Sequence, residues 1–212
     1  MNPEQQMVAQ FMRGVAGQEV HDTPTIRTPD IHELQFTLMH EEAVELYAAE
    51  INQDRVAIAD ALGDLLYVTY NTACAHGLDL DCKGEVLRDI KYAIRCYKRG
   101  VKDGNINQVF ECLIDIKTAV FVTAEGFVPL KQVFIEIHRS NMTKLWTSEE
   151  VDTYYSAAAL GADLECYDMT YVDATPGKRC CRVKNQAGKL IKSPSYSPAN
   201  LKPILGMEGD KI

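Results

Sequence analysis

Asp60-Ala61-Leu62-Gly63-Asp64-Leu65-Leu66 sets two carboxylates four residues apart in a stretch flanked by Val56, Ile58, Ala59, Tyr67, Val68 and Tyr70. A helix apolar nearly all round is a buried one, and the two acids stand about 40° apart on it. About twenty residues earlier, His40-Glu41-Glu42-Ala43-Val44-Glu45-Leu46 brings three more acids within an arc of roughly 100°. Glu41 and Glu42 alone would suit a solvated helix face. The apolar surroundings of Asp60 and Asp64 would not, because carboxylates packed together repel and are costly to desolvate. Two such faces in contact need protons or divalent cations, and oxygen-only ligands favour Mg²⁺ or Mn²⁺ over zinc. Gly63 costs a helix about 1 kcal/mol against Ala and suggests close approach of another backbone or a ligand.

Outward from these segments the chain reads as helices. Pro29-Asp30 opens one, with Glu33 three residues after Asp30 in a capping-box arrangement, and Ile31, Leu34, Leu38, Val44 and Leu46 carry it to about Ile51. Asn52-Gln53-Asp54 is a tight connection to a helix from about Arg55 to His76, which Gly77 terminates. So short a link makes the two helices antiparallel neighbours with opposed acidic faces. Further helices are expected over 4–16, from Gly84 to Val101, from Ile106 to Ala124 and from Leu130 to Ser140.

Beyond Asp163 the pattern changes. Cys166–Val172, Arg179–Lys184 and Lys189–Lys192 are β-rich, Asn185-Gln186-Ala187-Gly188 suits a hairpin loop, and Pro194 and Pro198 keep Ser193–Pro198 extended. The expected fold is mainly α, an antiparallel helical bundle over 1–160 with a small basic β-hairpin appendage over 161–212.

At 212 residues and 46% hydrophobic content the chain can bury a real core, which excludes a disordered or fibrous protein. No apolar run approaches membrane-spanning length and the N-terminus lacks signal-peptide character, so a soluble cytoplasmic protein is expected. Seven cysteines without a CxxC pair fit reduced thiols and no zinc, and neighbours such as Cys180 and Cys181 point to opposite faces of a strand. Residues 1–177 hold fourteen basic and twenty-eight acidic side chains, whereas Lys178–Lys202 holds seven basic and none acidic. Without interleaved aromatics that segment suits a phosphate ligand held by the body better than a nucleic acid polymer.

Two weaker features complete the reading. Ile51-Asn52-Gln53 before the Asp60/Asp64 helix is echoed by Ile106-Asn107-Gln108 before Glu111 and Asp115, a trace of a degenerate second hairpin. Glu136-Ile137-His138-Arg139-Ser140-Asn141-Met142-Thr143-Lys144-Leu145-Trp146 ends a helix with Asn141, suited to a sugar or base edge, and Lys144, a point charge for phosphate.

Glu41-Glu42-x-x-Glu45, Leu62-Gly63-Asp64-Leu65-Leu66-Tyr67 and His138-Arg139-Ser140-Asn141-Met142-Thr143-Lys144-Leu145, in that order, resemble the all-α nucleoside triphosphate pyrophosphohydrolases of the MazG type. The likeness is to the phage- and bacteria-borne branch related to phosphoribosyl-ATP pyrophosphohydrolase, over roughly residues 30–80 and 130–147, and Gly188–Pro198 is similar to tails of phage members. The family's pattern is Glu-x-x-Glu followed by Glu-x-x-Asp. Glu42, Glu45 and Asp64 match it, Ala61 stands where the second motif's Glu is expected, and Asp60 is the natural replacement. The resemblance implies hydrolysis of a (deoxy)nucleoside triphosphate between its α and β phosphates, with dGTP or dUTP the first substrates to test. It implies two or more Mg²⁺ or Mn²⁺ ions on Glu42, Glu45, Asp60 and Asp64, with Glu41 activating water, Asn141 on the nucleoside, and Lys144, Lys189 and Lys192 on phosphate. It also implies a homo-oligomer, dimer or tetramer, with no membrane partner. Two alternatives stand beside it, a catalytically silent helical oligomerisation module and phosphoribosyl-ATP pyrophosphohydrolase activity itself. His21-Asp22 hints at an HD-type phosphohydrolase, which the lack of an upstream His argues against.

Overall fold

The computed structural model describes residues 1–82, 88–159, 168–175, 178–184 and 190–207. Helix α1 (Pro3–Phe11) starts where the Asn2 side chain accepts from the Gln5 N–H, and it runs into one π turn, Met12–Ala16. The central hairpin is α2 (Pro29–Asn52) and α3 (Arg55–His76). Asp54 caps α3 by accepting from the N–H groups of Val56 and Ala57. Gly77 ends it at φ 67°, where an added Cβ would collide with the Thr23 carbonyl. The N-terminus of α2 differs from expectation. Thr28 is its N-cap and Pro29 holds the first helical position, while Glu33 pairs with Lys98 at 2.9 Å and forms no capping box.

Helix α3 is the core of the molecule. From Ile58 to His76 every residue is buried except Asp60, Asp64 and Val68, a single stripe at i, i+4, i+8 left open to a cleft. A second hairpin, α4 (Ile90–Lys102) and α5 (Ile106–Ala124), packs α4 on α2 and α5 on α3, so a four-helix unit is completed within one chain. Helix α4 starts later than Gly84, at the Asp89 cap, and 83–87 lie outside the described residues. In α5 the echo of the acidic pair is neutralised: Arg88 reaches Asp115 at 2.6 Å and Glu111 at 3.8 Å.

Helix α6 (Leu130–Met142) lies across α1 and α3. Its close approach explains Gly63, since a Cβ there would collide with the tip of Ile137 and stand 2.9 Å from Val133 Cγ1. The helix outlasts its expected end at Ser140 by two residues, so Asn141 sits in its last turn.

The C-terminal part is more than a hairpin. Strand β1 (Trp146–Thr147), helix α7 (Ser148–Ala159), β2 (Asp168–Thr175) and β3 (Lys178–Lys184) give an antiparallel sheet of order β1-β3-β2. The expected loop 185–188 lies outside the described residues, as does Cys166. Beyond it the chain returns beside β3, with Lys184 bridging Leu190 and the Ile191 N–H donating to the Val183 carbonyl at 2.9 Å. Trp146, Val151, Cys181 and Val183 form a small second core. Arg182 ties the sheet to the body by donating to the Val15 carbonyl at 2.7 Å, and α8 (Leu201–Ile204) buries Leu201 against it. Among the described residues no helix is long and apolar enough to cross a membrane.

Candidate active site

The open stripe of α3 forms the floor of a cleft of about 420 Å³, within the range of ligand pockets. Helix α2 supplies one wall with Leu34, Leu38, Glu41 and Glu42, and the end of α6 supplies another with Ile137, Ser140, Asn141 and Lys144. Lys184, Leu190, Lys192 and Tyr196 close it from the tail, while Phe11, Ala16 and Gln18 enter from the N-terminal segment.

The antiparallel register of α2 on α3 brings the acids together. Glu42 is acted on most strongly, among charges, by Asp64, and Asp60 by Glu45. Burial pushes the Glu42 carboxyl up to about 8, with repulsion from Asp64, Glu45, Asp60 and Glu41 adding to it. Burial also raises Asp64, to about 7, with Asp60 and Glu45 adding and Lys144 and Lys192 opposing. Asp60 is raised for the same reasons, although its residue surface is open: the carboxyl lies at the cleft mouth, where protein displaces part of its water, and Lys192 opposes the shift. Among the described residues none of these three carboxylates has a hydrogen-bond or ion-pair partner, Glu45 faces solvent beside the cleft, and Glu41 stands exposed on its wall.

Unpaired carboxylate oxygens of this kind are donors of the type that divalent cations such as Mg²⁺ and Mn²⁺ take. As the side chains stand, no three His, Cys, Asp or Glu groups among the described residues converge on one coordination point.

The α6 segment divides its labour. The Tyr67 hydroxyl is hydrogen-bonded to His138 Nδ1 at 3.0 Å and accepts from Asn141, and its ring stacks on the His138 ring. Asn141, 8% exposed, is thereby held on the cleft wall. Arg139 and Ser140 grip the tail, and Ser140 also lines the cleft. Arg139 donates to Ser197 Oγ and the Pro198 carbonyl, Ser140 donates to Tyr196, and Glu136 accepts from the Asn200 N–H. With the Ser193 hydroxyl donating to the Thr143 carbonyl, these bonds pin residues 193–200 along α6. Lys192, just before the pinned stretch, packs on the Tyr196 ring and acts electrostatically on Asp60 and Asp64. Lys189 lies outside the described residues.

Of the aromatic residues beside the acidic and Asn141/Lys144 motifs, Tyr67 lines the cleft and Tyr70 and Trp146 do not. Tyr70 is fully buried with its hydroxyl accepting from Asn2, and Trp146 packs under the sheet against Tyr154. The sequence reading missed Gln18 and Asn71, which line the cleft. Asn71 carried one signal, its place seven residues past Asp64 on the same side of α3; Gln18 lies in a loop and carried none.

Residues 8–91 match the model of the phosphoribosyl-ATP pyrophosphohydrolase family, a stretch from α1 to the start of α4 that contains all five acids. Over this segment the chain is similar to a family of the all-α nucleoside triphosphate pyrophosphohydrolase superfamily, and that similarity points to a nucleotide pyrophosphohydrolase. The chain is also similar to an uncharacterized protein of Acanthamoeba polyphaga mimivirus, 29% identical over 213 residues, covering 84% of each chain. No solved structure matches it.

Proposed function

We propose that the protein hydrolyses a (deoxy)nucleoside triphosphate between the α and β phosphates, giving the monophosphate and pyrophosphate. The single observation that carries this reading is the pairing, in one cleft, of unpartnered carboxylates on α2 and α3 with cationic side chains of the turn after α6 and of the tail. Glu42, Glu45, Asp60 and Asp64 would hold Mg²⁺ or Mn²⁺, which when bound neutralises phosphate oxygens and lowers the cost of charge on the departing pyrophosphate. Lys144 and Lys192 face the same space and bind the polyphosphate chain. Asn141, oriented by Tyr67 and His138, hydrogen-bonds the nucleoside. Glu41 is exposed at the cleft and free to take a proton from water brought in line with the α phosphate. Burial raises the proton affinity of Glu42 and Asp64, so a cation entering the site would displace protons from them.

A homo-oligomer belongs to the same reading. Val44, Tyr47 and Ile51 leave 49%, 42% and 79% of their surfaces exposed along α2, beside Glu45. An apolar stripe of that kind is a natural contact for a second copy.

Product analysis tests the reaction. The full chain with Mg²⁺ or Mn²⁺ is expected to release pyrophosphate and a monophosphate in equal amounts. Orthophosphate with a diphosphate would rule out α,β cleavage, and no turnover with any nucleotide would point to a silent helical module.

A further inference from the structure

The end of the cleft away from the acids is built of amides. Thr72 Oγ1 donates to Gln35 Oε1 at 2.9 Å, Gln35 Nε2 donates to Asn71 Oδ1 at 2.9 Å, and Asn71 Nδ2 donates to Gln18 Oε1 at 3.0 Å. Thr72, Gln35 and Asn71 are buried, whereas Gln18 is half-buried and, with Asn71, lines the cleft. Each amide in this relay accepts on its core side and donates on its cleft side. The last, Gln18, is left with its Nε2 hydrogens toward the cleft and no acceptor for them among the described residues.

The relay has a polarity, and one hydrogen sets it. Thr72 Oγ1 also lies 2.9 Å from the Val68 carbonyl in its own helix. Given to Gln35, the hydroxyl hydrogen leaves Gln18 presenting donors; given to Val68, it would let all three amides turn and leave Gln18 presenting oxygen.

Position gives the relay its use. Asn71 is seven residues beyond Asp64, about 10 Å along the α3 axis, and Gln35 is the same number before Glu42 on α2. Between the two ends the walls are Leu34, Leu38, Val68 and Phe11. Along its length the cleft therefore runs from ionic to apolar to amide, the order in which a nucleotide presents phosphate, base face and base edge.

We infer that the Gln18–Asn71–Gln35–Thr72 relay is the base-reading end of the cleft, and that its donor polarity selects nucleotides whose base offers a keto oxygen there, the 6-keto purines and 4-keto pyrimidines, over the amino bases. This rests on the pyrophosphohydrolase reading for the orientation of the ligand. A site whose outermost amide presents an oriented donor discriminates by the hydrogen bond that a mismatched base edge cannot make.

Steady-state pyrophosphate release by the full chain from dGTP, dTTP, dUTP, dATP and dCTP tests it. The keto nucleotides are expected to show kcat/KM higher by about tenfold or more. Gln18→Glu keeps the acceptor for Asn71 but replaces the outward donor with oxygen. It should raise KM for keto nucleotides about tenfold, leave kcat within a few-fold and narrow or reverse the ranking. Equal use of all five by the wild type, an amino-base preference, or an unchanged ranking in Gln18→Glu would overturn the inference. Calorimetric binding of dGMP against dAMP asks the same question without turnover. A dGMP preference lost in Gln18→Glu supports base reading even if nothing is cleaved, in which case only the reaction assignment falls; equal binding of the two overturns base reading.

Discussion

Glu42 on α2 and Asp64 on α3 confront each other across the central helix hairpin, and the Asp64 charge raises the proton affinity of Glu42. Asp64 is the largest single charge acting on Glu42. The same antiparallel register, seven residues along each helix, joins Gln35 to Asn71 through a hydrogen bond. One hairpin thus carries a repulsive acid pair at one end and a satisfied amide pair at the other. That difference polarises the cleft.

The acid pair should make the metal-free protein lose stability as pH rises. Glu42 and Asp64 have folded pKa values raised to about 8 and about 7, above their values in an unfolded chain. Between roughly pH 4 and 8 the folded state therefore binds more protons than the unfolded one, and stability falls as pH rises through that window. Thermal melts in a chelator should show Tm decreasing from pH 5 to 8. Added Mn²⁺ should restore it most at pH 8 and least at pH 5. A Tm that rises over this range in chelator, or a metal effect independent of pH, would contradict the assignment.

Replacing single acids should separate ligands from bystanders. Glu45→Gln and Asp64→Asn are expected to lower kcat by about 100-fold or more while the fold persists, because each removes a ligand charge. Asp64→Asn should also raise Tm in chelator at pH 8, since it deletes a repulsive charge. Asp60→Asn should be comparably severe if Asp60 stands in for the carboxylate missing at Ala61; a loss under about threefold would leave it a structural residue.

The pinned tail should matter through substrate binding. Lys192→Ala is expected to raise KM for the triphosphate about tenfold with kcat little changed, the result of losing one phosphate charge. Arg139→Ala removes the donors to Ser197 and Pro198 and should give a similar KM increase. It should also speed proteolysis within 193–200, which Lys192→Ala should not.

Close packing at Gly63 sets a limit on substitution. Gly63→Leu drives atoms into Ile137 and Val133 and should cost about 2–3 kcal/mol, beyond what better helix propensity returns. Urea denaturation measures it. A near-neutral result would show that α6 can move off α3.

The helix hairpin was legible because its signals are local. The Asn52-Gln53-Asp54 connection, Gly77 as terminator and the apolar circumference of α3 all act within a turn or two, and the structure places α3 at the expected bounds, Arg55–His76. The α2 cap was misread because proline's fixed φ at the first helical position makes Thr28 the cap, while Glu33 goes to Lys98. Strand β1 could not be read at all: Trp146-Thr147 becomes a strand only by pairing with Cys181 and Cys180, more than thirty residues away. The acids announced themselves by charge in an apolar context. The amide relay did not, since Gln18, Gln35 and Asn71 are unremarkable one at a time and acquire meaning only when three segments meet.

The claim on which the account turns is that the acid pair is a cation site whose protons leave as metal enters. Calorimetric titration of Mn²⁺ into the full chain at pH 7, repeated in two buffers of different ionisation enthalpy, measures both events at once. The account predicts saturable binding with net proton release, and loss of both in Asp64→Asn. No saturable binding, or binding that survives Asp64→Asn without proton release, would contradict it.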